Sequence, residues 1–255
     1  MYNMFMESER IKLRVTRLAS LTIERDCQAY GFVKNDGEAN RNGLLNHLIP
    51  HLYEMRKDRM GRFESILKDK YRRKDYELIS SVVSMAFDEA YFGSDNKEPL
   101  EDEVWIRPNS DSGTAFSEID DKELSHSAKT MSEYIRGLLD EYVKLPCYAR
   151  EQILFSDRIS ILKKGEESRK PIGFRYNGIK VMIVVCHIDY EPVIRERNYI
   201  CGFPLVERRP RLYLLKGIAS PFEAGDKPAK TSADEDAAIR HFINEGPLEK
   251  ALQED

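Results

Sequence analysis

The sequence predicts an α+β protein: a helical N-terminal region carrying the same strand–helix–helix order twice, followed by a small β-barrel. Three observations predict it. Apolar residues alternate in RIKLRVT and again in EVWIRPN, and each run is followed by apolar residues at helical spacing. After residue 153 the apolar period changes from 3.6 to 2. Within that stretch Asn177-Gly178 separates two alternating runs, a strong hairpin signal because both residues tolerate positive φ.

In the first strand, Ile11, Leu13 and Val15 make an apolar face and Lys12, Arg14 and Thr16 a cationic, polar one. A helix follows in which Leu21 or Ile23, Cys27 and Tyr30 recur at helical spacing, up to the turn residues Asn35, Asp36 and Gly37. The next helix carries the stripe Leu44, Leu45, Leu48, Ile49 and Leu52, and Pro50 is expected to kink or end it. Phe63, Ile66, Leu67 and Tyr71, then Leu78, Ile79, Val82, Val83 and Phe87, predict connecting helices, and 93–100 a linker.

The second copy begins with Val104 and Ile106 on one face and Trp105 and Arg107 on the other. Phe116 and Ile119 open a helix. Thr130 and Glu133 form a capping box before another, whose apolar face is Ile135, Leu138, Leu139 and Tyr142. A short helix around Ile159, Ile161 and Leu162 leads to a hairpin of Ile172, Phe174 and Tyr176 with Ile179, Val181, Ile183 and Val185. RNYICGFPLV and RPRLYLLKGI read as further strands and DEDAAIRHFINEG as a closing helix. The expected boundaries are 1–55 and 101–150 for the two copies, 56–100 for connecting helices and linker, 151–222 for the barrel and 223–255 for an acidic helix and tail.

Composition narrows the function. With 41% apolar and 33% charged residues the chain of 255 reads as a soluble globular protein. It has neither an apolar run of membrane-spanning length nor the basic-then-apolar order of a signal peptide, so a cytoplasmic location without membrane partners is expected. Cys27, Cys147, Cys186 and Cys201 are scattered and read as small buried hydrophobes. His47 and His51 stand four apart, but Leu48, Ile49 and Pro50 lie between them instead of a metalloprotease glutamate. Phosphate-loop, nucleophile-elbow and dinucleotide motifs are missing, so no catalytic residue, metal or cofactor is expected, and no enzyme. Net charge is only −4, yet basic residues crowd 56–74 and 195–216.

A two-stranded ribbon fits the major groove, where long donors on its outer face reach base edges. Over about 10–52 the chain resembles the ribbon-helix-helix family, in its cationic strand and in the NRNGLLNHLI start of the second helix. The stretch 103–143 resembles it again, most closely in SEYIRGLL. The resemblance implies that the two copies pair with each other as an intrachain pseudo-dimer, or each with a second chain as a homodimer. It implies nucleic-acid contacts by Lys12, Arg14 and Thr16, with Asn40 and Arg41 at a helix start, where phosphates are held, and Arg107. Trp105 and Glu103 stand where polar or basic readers are usual, and Pro108 shortens the second strand.

RERNYICGFPLVERRPRLYLLKGI resembles the WYL domain, within a likeness covering roughly 155–220. Asn198-Tyr199-Ile200 stands at the Trp-Tyr-Leu signature with Gly202 after it, and RPRLYLLKGI at the family's Arg-x-Phe-x-Leu-x-x-Ile strand. This implies an Sm/SH3-like barrel that senses ligands, often nucleic-acid-like. Tyr199 and Arg211 match ligand-facing positions, whereas Leu214 and Gly217 replace common arginines. Read without the family, Arg195, Arg197, Arg209 and Arg211 around Tyr199 can hold phosphates and stack a base.

Proteins that pair these modules include transcription regulators and accessory proteins of type VI-D CRISPR loci, in which the WYL protein binds single-stranded RNA and enhances an RNA-guided RNase. The expected partners are therefore duplex DNA or single-stranded RNA or DNA, with an RNA-guided RNase effector as a protein partner. The alternative is a protein-interaction adaptor that binds no nucleic acid.

Overall fold

Alternation in the first strand becomes real alternation of exposure: in β1 (Ile11–Val15), Leu13 and Val15 are fully buried while Lys12 and Arg14 face solvent. The computed structural model describes residues 10–70, 79, 82, 99–119, 130–188 and 192–245. The chain divides into two units between Leu145 and Pro146.

In the first unit, α1 (Arg17–Tyr30) starts where the Thr16 hydroxyl accepts the Ala19 N–H at 3.2 Å. It stops where Gly31, at φ 79°, returns its N–H to the Cys27 carbonyl. Then α2 (Arg41–Lys70) runs for 30 residues through Pro50. Of the kink or end expected at Pro50, the end does not occur, and the helix continues past residue 56 to Lys70. A helix-interior proline costs about 3 kcal/mol. Leu44, Leu45, Leu48, Ile49, Leu52 and Tyr53 are all buried on both sides of Pro50, and burying each contributes roughly 1.5–3 kcal/mol, which outweighs the break. The expected helix around 78–87 and the linker at 93–98 lie outside the described residues, apart from Ile79 and Val82.

The order then repeats as β2 (Asp102–Ile106), α3 (Ser110–Glu118) and α4 (Met131–Lys144). β1 and β2 pair antiparallel within the chain, Ile11 opposite Ile106, Lys12 opposite Trp105, Leu13 opposite Val104 and Arg14 opposite Glu103. Each strand packs against helices of the other copy, β1 on α4 and β2 on α1 and α2. Leu13, Val104 and Ile106 thus share a core with Ile23, Leu48, Ile135 and Leu139.

In the second unit, α5 (Cys147–Leu154) and α6 (Ser156–Ser168) precede an antiparallel sheet of five strands. These are β3 (Pro171–Tyr176), β4 (Ile179–Ile188), β5 (Tyr199–Pro204), β6 (Arg211–Leu214) and β7 (Ile218–Glu223), in the order β6-β5-β4-β3-β7. A short α7 (Pro192–Arg195) leads into β5, and α8 (Ala233–Glu245) follows β7. The hairpin turn falls on Asn177 and Gly178, at φ 48° and 85°. α6 lies on one face, so close that a Cβ on Gly165 would meet Ile172 Cγ1 at 2.4 Å and Val185 Cγ2 at 3.6 Å. Val184, next along the strand, points the other way and packs with Phe203 against Ile239 of α8.

The expected closed barrel is overturned. A 3-10 turn, Leu215–Gly217, links β6 directly to β7, the two edges of the sheet, yet these strands are not hydrogen-bonded to each other. Where they approach, the Leu214 N–H donates instead to the Tyr176 hydroxyl at 3.3 Å. The sheet is curled but open.

Candidate functional site

The ribbon's outer face is built by the pleat. Because Leu13, Val15, Val104 and Ile106 point into the core, the residues between them must point outward. Lys12, Arg14, Glu103 and Trp105 do so, and the exposed Arg10 and Arg107 continue the alternation at the strand ends. Lys12 Nζ lies 2.5 Å from Glu103 Oε1 and 5.5 Å from the centre of the Trp105 ring. Arg14 Nη2 donates to the Leu100 carbonyl at 3.2 Å. Arg107 is fixed through its backbone: its N–H donates to Asn42 Oδ1 at 2.8 Å and its carbonyl accepts from Asn46 Nδ2 at 3.0 Å. Its guanidinium remains on the surface.

Three residues grouped with this face do other work. Thr16 is buried as the cap of α1 and leaves the outward row, because a helix start needs its hydroxyl. Asn40 accepts the Gly43 N–H at 2.9 Å as the corresponding cap of α2. Arg41 is ion-paired with Glu24 at 2.8 Å. The NRNG stretch thus caps α2 through Asn40, holds α1 through Arg41 and reaches the other copy through Asn42, which accepts the Arg107 N–H. Asn46 receives the Asn109 N–H at 3.1 Å and the Ser112 hydroxyl, so that α2 orders the start of α3.

Three cations of the basic stretch 56–74 make contacts within the first unit. Lys57 pairs with Glu118 at 3.0 Å, Arg59 with Glu141 at 3.7 Å, and Arg56 lies 5.2 Å from the Tyr134 ring. Arg72, Arg73 and Lys74 lie outside the described residues. Burial pushes the Glu141 carboxyl above its usual range, against the pull of Arg59 and Arg56.

The ligand set expected in the second unit is brought together only in part. Tyr199 is buried, with the Arg195 guanidinium 5.3 Å from its ring centre, so it is core and not an open stacking surface. Arg197 donates to Cys147 Sγ at 2.9 Å. Arg211 is paired with Glu207 at 2.6 Å, and Arg209 is exposed on the β5–β6 connection. For Tyr199 the cause is its strand: β5 lies inside the sheet between β4 and β6, and all six of its residues are buried.

Sequence reading placed Asn198 at the signature but gave it no role. Fully buried, it donates from its backbone and its side chain to Glu151 Oε2, at 3.0 and 2.7 Å, and from Nδ2 to the Tyr148 carbonyl at 2.8 Å. It also accepts from Gln152 at 2.7 Å. Burial pushes the Glu151 carboxyl up, opposed by the Asn198 hydrogen bonds. An amide heading an apolar strand was the available signal, since a buried amide demands partners.

His47 lies edge-on to His51 at 4.9 Å and near Phe32 at 5.6 Å, an aromatic packing arrangement. Among the described residues no three His, Cys, Asp or Glu side chains converge to hold a metal ion. No described helix is long and apolar enough to cross a membrane.

No protein-family model matches the chain, and no curated protein matches it. A solved structure described as the crystal structure of a CRISPR Cas-related protein shares its fold. That likeness has a TM-score of 0.68 at 13% identity and covers 94% of this chain and 72% of the other.

Proposed function

We propose that this chain is a non-catalytic nucleic-acid-binding protein that acts as an accessory regulator of a CRISPR RNA-guided RNase. The observation that carries the reading is the intrachain pairing of β1 and β2, which sets Arg10, Lys12, Arg14 and Arg107 on one outward face over a rigid core. Prearranged cations on a short ribbon are suited to polyanions, because their ordering entropy is spent in folding. The first unit then acts as a ribbon-helix-helix pseudo-dimer. Its support is the repeated strand–helix–helix order and the cross-packing of each strand on the other copy's helices.

The second unit is the sensing part, a WYL-like sheet with Asn198-Tyr199-Ile200 at the entry to β5. Its surface contribution comes from Arg209 and Arg211. The fold shared with a CRISPR Cas-related protein supports the accessory role.

The test is fluorescence polarisation of single-stranded RNA, single-stranded DNA and duplex DNA over a salt series, with wild type and the Lys12→Ala/Arg14→Ala double variant. Wild type should bind at low salt, with affinity falling steeply as salt rises, and the double variant should show a shallower slope by about 0.7 per lost strand phosphate contact. Absence of binding to all three at low salt would overturn the reading in favour of a protein-interaction adaptor.

A further inference from the structure

We infer that Trp105 is a stacking platform for an unpaired base, so that the ribbon's outer face selects single-stranded nucleic acid over duplex. This rests on the polyanion-binding reading of the same ribbon and names its substrate class. Trp105 sits mid-strand on β2 and is 49% exposed, although the residues flanking it, Val104 and Ile106, are buried. Its ring is held by the strand rather than by a loop. In the ladder it is directly opposite Lys12, whose ammonium stands 5.5 Å from the ring centre and is anchored by Glu103. Arg10, Arg14 and Arg107 complete a cationic surround on the same face.

That chemistry discriminates. A duplex groove offers base edges to hydrogen-bonding side chains, and its base faces are stacked away from an approaching indole. An indole in the middle of the ribbon takes a position where a groove reader needs an acceptor or a fork of donors. An unpaired base offers a π face, and its flanking phosphates meet the neighbouring cations, the combination found in single-strand binding surfaces. A base seated on Trp105 leaves its 5′ and 3′ phosphates within the span of the side chains on either side.

Trp105 is the only tryptophan in the chain, so its emission reports on the site directly. The experiment titrates full-length wild type with oligo(U) and oligo(dT) of about 12 nucleotides, within the span a compact single-strand site covers. A duplex and an abasic strand of equal length serve as controls, with polarisation measured in parallel. Either single strand should quench the emission, the RNA and DNA arms showing which sugar is preferred, while the duplex should not quench it. Trp105→Ala should weaken single-strand binding about ten-fold, the scale of one lost stacked base. Trp105→Phe should retain most of the affinity, and the abasic strand should bind wild type and Trp105→Ala alike. Saturation without quenching, equal affinity for duplex, or an unchanged Trp105→Ala affinity overturns the inference. If Lys12→Ala/Arg14→Ala loses strand binding while Trp105→Ala does not, stacking fails and the cationic ribbon stands. If wild type binds no strand, both fail together.

Discussion

Tyr142 donates its phenolic hydroxyl to Asp26 at 2.7 Å, with both residues sealed from solvent. The bond ties α4 to α1, the helices that belong to different copies of the strand–helix–helix order. Tyr142→Phe keeps the ring and removes the donor from a buried carboxyl. Removing one partner of a buried hydrogen bond costs about 1–3 kcal/mol. The unfolding free energy should fall by that amount, read as a lower urea midpoint with the slope unchanged. A midpoint equal to wild type would falsify the assignment of this bond as the tie between the copies.

The buried Glu151–Asn198 pair gives a prediction with a definite sign. Burial raises the Glu151 carboxyl, so in the folded protein it holds its proton at pH values where the unfolded chain has released it. Stability supplied by the neutral carboxyl is therefore complete below about pH 4, the ordinary carboxylate range, and is lost as pH rises above it. Glu151→Gln, which cannot ionise, should flatten that part of the stability–pH curve. Asn198→Ala strips three side-chain hydrogen bonds, those to Glu151 and to the Tyr148 carbonyl and the one accepted from Gln152, and should cost roughly 3 kcal/mol. Only its side chain is lost, so the backbone N–H to Glu151 persists and sets an upper bound on the damage. Parallel pH profiles for wild type and Glu151→Gln would remove Glu151 as the titrating group.

Most of the architecture was legible because it is written in local periods. Leu13 and Val15 alternate, Leu44 to Leu52 recur at helical spacing, and Asn177-Gly178 demands a turn; each appears where the pattern put it. Thr130 capping the Glu133 N–H at 3.2 Å was equally readable. What failed was long-range. That the helix does not end at Pro50 was not readable, because the burial that offsets the proline comes from elements distant in sequence. The open sheet rests on β6 and β7 staying unpaired although one short turn joins them, which local sequence does not state. The basic run 56–74 does not show by itself that Lys57 and Arg59 meet Glu118 and Glu141, which lie far along the chain. Tyr199 matched a family position, but local sequence does not state whether a strand is an edge or a middle.

The anchoring of α8 should be sensitive to acid. Glu235 is held below its usual range first by the Ser232 N–H and then by Arg208, whose guanidinium meets it at 2.6 Å through two nitrogens. Asp236 is lowered by the Thr231 hydroxyl and then by Arg169. For depressed carboxyls the stabilisation is present above the unfolded value and disappears as pH falls through the folded one. In the range below about pH 4, amide resonances of α8 should shift and broaden before those of β4 and β5. Simultaneous loss of all three would place the acid transition elsewhere. Both acids are surface groups, so the change should be local.

Glu103 competes with any polyanion for Lys12. The pair is exposed on both sides, so breaking it should change stability by less than about 1 kcal/mol. Its effect on binding is different in kind. Glu103→Gln keeps the side chain's size while removing the one described carboxylate in contact with Lys12, and it raises the net positive charge of the ribbon face by one. Affinity for a single strand should rise several-fold at low salt, and the salt dependence should steepen because one more cation is released to phosphate. Glu103→Lys should go further, until Lys12 and the new lysine repel each other across the ladder. The comparison needs only polarisation curves at two salt concentrations for each variant. Weaker binding by Glu103→Gln would mean that Glu103 serves mainly to hold Lys12 over Trp105, and that the geometry of the pair matters more to the bound strand than its charge.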